Sequence, residues 1–334
     1  MCGILGSIGQ FKNINNDSFH KALLKSSFRG PDYSDSHNFI SSNNQIFLGH
    51  NRLSIIDLNP TGNQPKESRS KNNTIIFNGE IYNHLELREK FPSDFLWTSN
   101  SDTETLIELI EKFGIVKTLS WIRGMFAFAV YDFKKDIVTL ARDISGEKPL
   151  YLYFHEKGFI FSSDLNSPSH LGMPSKLINQ TAINQLLKFN YIPAPLSIYK
   201  STFKLPAASY ISIDLKTFEH KSANSFNDLV RSNGIKFQKF WSLPEQKDQF
   251  NDKNSLSDLI KETEQLLEES IQMQQLSDVP IGAFLSGGID SSLVVALMQK
   301  NSSSKIKTFN IGFDFDGYDE SPYAEKIAKH LGTD

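Results

Sequence analysis

The sequence predicts two folds in one chain: stacked antiparallel sheets over residues 2–216 and a parallel, doubly wound sheet over 258–334, with a linker at 217–257. Three observations carry this reading. Strand-like apolar runs at 74–77, 125–131, 137–141, 150–154 and 159–162 follow one another with few helical patterns between them. After a helix that begins near 258, strand 279–285, helix 292–299, strand 306–311 and helix 320–331 alternate. Between that first strand and the next helix stands Ser286-Gly-Gly-Ile-Asp-Ser-Ser292, a tight turn that aims bare backbone N–H groups at a phosphate.

The totals bound the function. With 334 residues, 39% hydrophobic and 22% charged, the chain has an ordinary globular composition and the length for two cores. A net charge of −3 argues against a dominant nucleic-acid or membrane surface. No apolar run reaches the ~18 residues of a membrane helix, and the N-terminus lacks the basic start and long apolar core of a signal peptide. Residue 2 is Cys rather than Gly, which fails the myristoylation pattern, so a cytoplasmic location is expected. One cysteine excludes an internal disulfide and a Cys-based zinc site, and the eight histidines show no paired metal-ligand spacing.

Taken in order, the elements begin with that single thiol, Cys2. Removal of the initiator Met would leave Cys2 carrying both a thiol and a free α-amine, whose reference pKa of about 8 suits a general base near neutrality. The competing reading is a small buried hydrophobe at the start of a strand through Ile4, Leu5 and Ile8. Arg29-Gly-Pro-Asp32 reads as a turn, and Arg52 introduces a strand at 53–56. Asn78-Gly79 is placed at the end of the 74–77 strand, and Ser101-Asp-Thr-Glu caps an amphipathic helix at 106–113. Asn-rich tracts at 13–16, 43–44 and 71–73 read as solvated loops. The 217–257 stretch is rich in Ser, Asn, Lys and Asp without periodicity, hence the linker. In the second half, Leu259, Ile260, Leu266, Leu267 and Ile271 recur at helical spacing. Gly287 and Gly288 let backbone approach a phosphate, and Asp290 beside them suits Mg²⁺; the G-x-x-x-x-G-K-[ST] phosphate loop is absent.

These segments together resemble a known family. Cys2-Gly-Ile, Arg29-Gly-Pro-Asp32, Gly49-His50 with Arg52-Leu-Ser-Ile55, Asn78-Gly-Glu-Ile-Tyr-Asn83, and Arg142-Asp143 with Gly146-Glu-Lys-Pro-Leu-Tyr151 look like the class II glutamine amidotransferase domain of asparagine synthetases. Tyr191-Ile-Pro-Ala-Pro195, Lys204-Leu-Pro206, Phe240-Trp241 and the Ser286 loop continue the likeness in the family's order over nearly the whole chain. The resemblance implies an α+β N-terminal-nucleophile four-layer αββα sandwich, followed by a truncated α/β parallel-sheet ATP-pyrophosphatase domain. It implies Cys2 as nucleophile, Asn78 and Gly79 as oxyanion donors, and a glutamine site of Arg52, Leu53, Ile55, Asn78, Gly79, Glu80 and Asp102. Within that site Arg52 clamps the α-carboxylate, Asp102 pairs with the α-ammonium and Glu80 helps to position the substrate. Leu285, Ser286, Gly287, Gly288, Asp290, Ser291, Ser292 and Ile311 are the implied ATP contacts, with Mg²⁺ carried by the nucleotide at Asp290.

The activity implied is glutamine-dependent asparagine synthesis, with ATP, glutamine and aspartate as substrates, an internal ammonia route and a possible homodimer. Two alternatives stand beside it: amidation of another carboxylate, such as a sugar acid of a surface polysaccharide, and a fragment with glutaminase activity only. The stretch 313–322 resembles bacterial branches in which both acceptor uses occur. Sugar-phosphate and phosphoribosyl amidotransferases share only the first half, and the 286–292 loop argues against them. Asp35 stands where the family usually has Gly, and Asp164-Leu-Asn166 where it usually reads Glu-x-Lys. The chain ends at Asp334, before the family's second glycine-rich segment, so the expectation is a fragment of a longer chain or a crippled synthetase half.

Overall fold

A computed structural model describes residues 1–41, 44–171, 177–223, 225–245, 255–315 and 319–334. The chain divides into two compact units, Met1–Pro244 and Glu245–Asp334. The first unit contains β1 (Gly3–Gly9), β2 (Tyr33–Ser41), β3 (Asn44–Arg52), β4 (Lys66–Glu67), β5 (Asn73–Ile81), β6 (Gly124–Asp132), β7 (Ile137–Arg142), β8 (Tyr151–His155), β9 (Gly158–Ser162), β10 (Thr202–Lys204), β11 (Ser209–Asp214) and β12 (Ile235–Lys239). These form two six-stranded sheets, ordered β10-β8-β9-β1-β3-β2 and β12-β11-β7-β6-β5-β4. The pairings of β1 with β3 and of β5 with β6 are antiparallel.

Alternation along the strands explains why two sheets stack between helices. Ile4, Ile8, Ile46 and Leu48 of one sheet meet Ile76, Ala127, Ala129 and Leu140 of the other in a shared core. The intervening residues face outward and are buried too. Leu5 and Phe47 pack with Phe19, Ala22 and Leu23 of the helix Asn16–Leu24. Ile75, Phe77, Phe126 and Phe128 pack with Leu106, Ile107, Leu109 and Ile110 of the helix Asp102–Phe113. Helix, sheet, sheet, helix is the four-layer sandwich. Strands buried on both faces read as near-continuous apolar runs, the pattern in 125–131. Truncating a ring such as Phe128, which is fully buried, would cost about 3–5 kcal/mol.

Several local expectations are corrected. Residues 53–56 are not a strand: β3 ends at Arg52 and the chain turns away into a loop. Asn78-Gly79 lies inside β5, which runs on to Ile81, rather than at its end. Of the Asn-rich tracts, Asn15 caps the helix Asn16–Leu24, and Asn44 and Asn73 are buried at the starts of β3 and β5; Asn43 lies outside the described residues. The expected linker is shorter than 217–257. Ser225 and Asp228 form a capping box on the helix Phe226–Val230, β12 pairs with β11, and Phe218, Phe226 and Leu229 are buried in the inter-sheet core. A five-residue helix and a half-polar edge strand leave little periodic signal in a Ser- and Asn-rich stretch. Residues 224 and 246–254 of that stretch lie outside the described residues.

The second unit runs helix Leu256–Met273, β13 (Gly282–Phe284), helix Ile289–Lys300, β14 (Lys307–Phe309) and helix Ser321–Leu331. β13 and β14 pair in parallel, both shorter than the runs at 279–285 and 306–311 suggest. Its core is small: Leu285, Val295 and Ala324 are buried, with Ala283, Ile327, Ala328 and Leu331 packed against them. Residues 316–318 of the 313–322 stretch lie outside the described residues. Among the described residues no helix is long and apolar enough to cross a membrane.

Candidate active site

The end of the first sheet and the middle of the second meet at a cavity of about 170 Å³. Antiparallel pairing of β1 with β3 sets Gly3 opposite Asn51, so Cys2 and Arg52 emerge side by side at one strand end. β5 brings Asn78, Gly79 and Glu80, and the N-terminus of the helix Asp102–Phe113 brings Asp102. All eight residues implied for glutamine chemistry, Cys2, Arg52, Leu53, Ile55, Asn78, Gly79, Glu80 and Asp102, line this one space.

The thiol of Cys2 is half-buried and held by one backbone unit: it donates to the Leu53 carbonyl (3.6 Å) and accepts from the Leu53 N–H (3.4 Å). Burial pushes the thiol pKa up, while the Leu53 N–H opposes this by favouring the thiolate. Arg29 Nε anchors the Cys2 carbonyl at 3.1 Å. Asn78 is buried, with Nδ2 at 3.5 Å from Ser163 Oγ, which also accepts from the Ile4 N–H at 3.1 Å. Gly79 is required by close approach: a Cβ there would overlap the Met125 carbonyl oxygen and lie 2.7 Å from Phe126 Cα on the paired strand.

Arg52 shows a feature that its motif conceals. Its Nη1 donates to the Asn59 carbonyl (2.9 Å) and Asn63 Oδ1 (2.7 Å), and its Nη2 to the carbonyls of Ile56 (3.4 Å) and Asp57. A guanidinium has five N–H donors, so a bidentate grip on a carboxylate would displace part of this loop's bonding. Asp102, by contrast, is an underused anion. It is 5% exposed, and Oδ2 accepts the Ile81 N–H at 2.9 Å. Burial pushes its pKa up to about 7, with the Glu80 charge adding to the shift. Glu80 is also raised by burial, and Lys148 pulls it back.

Residues to which the sequence assigned no role in the site also line the wall: Gly62, Gln64, Thr103, Met125 and Lys148. Gln64 Oε1 accepts the Phe77 N–H (2.6 Å) and Nε2 donates to Thr103 Oγ1 (3.1 Å), tying the loop to β5 and to the Asp102 helix. No local pattern marks such a residue; only tertiary contact does.

In the second unit, Ser286, Gly287 and Gly288 form the turn after β13, and Asp290, Ser291 and Ser292 lie in the first turn of the helix Ile289–Lys300, which begins three residues ahead of the expected 292. The Ser286 N–H donates to Ser291 Oγ (3.3 Å), the two hydroxyls lie 2.9 Å apart, and Ser292 Oγ donates to the Gly288 carbonyl (2.6 Å). Gly287 has φ +84°, and a Cβ there would sit 2.6 Å from Tyr323 Cβ. The side chain of Leu285 is buried in the core, so at that position the chain offers a ligand backbone; Ile311 is 67% exposed beyond β14. Among the described residues no group of three His, Cys, Asp or Glu side chains gathers to hold a metal ion. A lone carboxylate at Asp290 fits a Mg²⁺ that arrives on nucleotide phosphates, since that ion keeps waters and takes few protein ligands.

Two stacked antiparallel sheets between helical layers, with a cysteine next to the amino terminus facing the cavity, are the fold of the N-terminal-nucleophile amidotransferases. Residues 1–224 match the family model described as "Glutamine amidotransferase domain" and 262–334 match "Asparagine synthase". The chain belongs to the glutamine amidotransferase family, in the branch that carries an asparagine-synthase segment behind that domain. It is 36% identical over 350 residues to "Putative asparagine synthetase [glutamine-hydrolyzing] 2" of Methanocaldococcus jannaschii, covering 100% of this chain and 64% of that protein. It is 31% identical over 344 residues to "Asparagine synthetase [glutamine-hydrolyzing] 1" of Bacillus subtilis, covering 100% of this chain and 49% of that protein. The chain thus spans about half to two thirds of the length of these curated relatives. A solved structure described as "Structure of the allosteric regulatory enzyme of purine biosynthesis" superposes with a TM-score of 0.50 at 14% identity, over 95% of this chain and 67% of that one, a likeness of fold.

Proposed function

We propose that this chain carries the glutaminase half and the opening nucleotide loop of a glutamine-dependent asparagine synthetase. The observation that carries the reading is the single cavity shared by Cys2, Asn78, Gly79, Glu80, Arg52 and Asp102. After loss of Met1 the α-amine of Cys2 takes the thiol proton, and Sγ attacks the side-chain amide carbon of glutamine. The oxyanion is held by Asn78 Nδ2–H and the Gly79 N–H. The C–N bond breaks as the amine's proton passes to the leaving ammonia, and water then cleaves the thioester to give glutamate. Asp102 receives the α-ammonium of glutamine, and Arg52 meets its carboxylate by giving up part of its loop bonds. Leu53 and Ile55 pack beside the substrate.

In the second unit the turn from Ser286 to Ser292 receives the pyrophosphate of ATP, with Leu285 and Ile311 toward the adenosine. Asp290 would hold a Mg²⁺ that arrives with the nucleotide, and the ion would neutralise charge on the phosphates. The aspartate side-chain carboxylate attacks the α-phosphorus, pyrophosphate leaves, and ammonia displaces AMP from the acyl carbon to form asparagine. The acceptor assignment draws on the names of the relatives that span the whole chain. Location in the cytoplasm and a homodimer belong to the same proposal.

Two assays test it. Cys2→Ala is expected to abolish glutamate release, and intact-mass measurement to find Met1 absent from the active wild-type chain. Pyrophosphate release from ATP, measured in the full-length protein, is expected to require aspartate. Release triggered by another carboxylate but not by aspartate would overturn the acceptor, and glutamate release that survives Cys2→Ala would overturn the nucleophile.

A further inference from the structure

The cavity around Cys2 holds a cation that the chemistry above leaves idle. Lys148 precedes β8, is 6% exposed, and lines the cavity with Cys2 and Glu80. Its backbone is pinned: the N–H donates to Asp143 Oδ2 (3.0 Å), and the carbonyl accepts from Arg142 Nε (2.8 Å). Its ammonium, in contrast, donates no hydrogen bond to any described residue and makes no ion pair with one. The side chain is buried but its ammonium opens onto the cavity without an acceptor among the described residues, so its charge is free to act on the groups that share that space.

The charges around it set what it can do. Glu80, Glu147 and Asp143 act on Lys148, as does Cys2. Asp102 and Arg52 act on the thiol, and Arg29, Lys148 and Asp32 act on the amino group of Met1, one residue ahead of Cys2. Burial raises the pKa of both cavity acids, Glu80 and Asp102. Burial lowers the Lys148 pKa, with Glu80 the leading charge that holds the ammonium in place.

We propose that Lys148 is the electrostatic partner of the N-terminal nucleophile, holding the Cys2 α-amine in its neutral, proton-accepting form while favouring thiolate over thiol. The proposal rests on the glutaminase reading of Cys2. A positive charge disfavours protonation of the amine and favours ionisation of the thiol, so it lowers both pKa values and brings the neutral amine and the thiolate into reach at lower pH. Lys148 keeps its own proton throughout; the mobile proton passes from Sγ to the α-amine and on to ammonia. It acts through Cys2 rather than on the substrate.

The test compares wild type, Lys148→Met and Lys148→Arg in the whole chain. Iodoacetamide alkylation followed against pH reads Cys2 alone, because it is the only cysteine. Turnover is read as glutamate release at saturating glutamine. In Lys148→Met the alkylation profile and the acidic limb of kcat are both expected to move up by about one pH unit, with rates near neutrality falling roughly tenfold. Lys148→Arg is expected to restore both. Unmoved profiles in Lys148→Met with a wild-type Tm overturn the proposal, and so does an arginine variant that behaves like the methionine one; Lys148→Gln replaces Lys148→Met if the latter loses its melting transition. Glutamate release that persists in Cys2→Ala would instead sink the reading of Cys2 as the glutaminase nucleophile, while the alkylation profile would still decide whether Lys148 tunes the thiol.

Discussion

The cavity of the first unit is assembled from strand and helix ends far apart in sequence, whereas the loop of the second unit is one contiguous turn. Residues 2, 52, 78 and 102 come together only once both sheets have paired and stacked. The 286–292 turn needs only a strand, a helix and its own serine hydrogen bonds. Burial follows the same division. The first unit covers its central strands, such as β1, β5 and β6, on both faces, while in the second Phe284 is 77% exposed, Phe309 55% and Ile289 87%. A site spread over a sandwich is preorganised by the whole fold, and a site in one turn is as rigid as that turn. Damage to the first should therefore be chemical and specific, and damage to the second conformational.

The largest expected effect beyond loss of the nucleophile is at Asn78. Asn78→Ala removes one oxyanion donor while the strand pairing of β5 with β6 stays intact, so kcat for glutamine hydrolysis should fall about 10²–10³-fold, roughly 3 kcal/mol, with KM little changed. Synthesis driven by added ammonia should be untouched. A parallel fall in the ammonia-driven reaction would break the separation between the two sites.

Gly287→Ala tests the other side. It forces a Cβ onto backbone at φ +84° and against Tyr323, which should cost roughly 1–3 kcal/mol in a unit with a small core. ATP-dependent pyrophosphate release should be lost and glutaminase activity kept. If glutamate release falls to the same degree, the turn is not the autonomous element that its hydrogen bonds describe.

The same contrast governs what could be read without coordinates. The second unit's alternation and its glycine-serine turn are local, and the sequence displayed them, with the strands read too long and the helix after the turn, Ile289–Lys300, read as starting at 292. In the first unit, Cys2, Asn78 and Asp102 stood out because their segments are unusual. Their meeting, however, depends on register, and register is a tertiary fact. Gln64 and Ser163 act through partners 13 and 159 residues away, and Lys148, though it stands in a quoted motif, reaches Cys2 only through a shared cavity that the motif does not announce. The occupied fork of Arg52 is the clearest case. The residue type suggests a carboxylate clamp, and only the carbonyls of Ile56, Asp57 and Asn59 show what that clamp must first release.

The smallest effect is the most direct reading of preorganisation. Asp102 sits at the first turn of its helix, where the dipole favours a carboxylate, yet burial outweighs this and lifts its pKa to about 7. An arriving ammonium must meet the ionised form. Below about pH 7 a proton has to leave before glutamine docks, so KM should rise towards tenfold per pH unit as the pH falls. Because that contact exists in both ground and transition states, kcat should follow the Cys2 profile instead. Asp102→Asn keeps the shape and removes the charge; its KM should be raised about tenfold or more and be insensitive to pH across this range. Stability carries the opposite sign. The folded state holds this proton up to about 7 and the unfolded chain releases it near 3.8, so the contribution to stability is largest at low pH and declines as pH rises through that window. A variant that loses the KM dependence while its Tm no longer falls between pH 4 and 7 would show that one buried carboxyl serves both. A KM profile that persists in Asp102→Asn would move the titrating group to Glu80, whose carboxyl burial also raises.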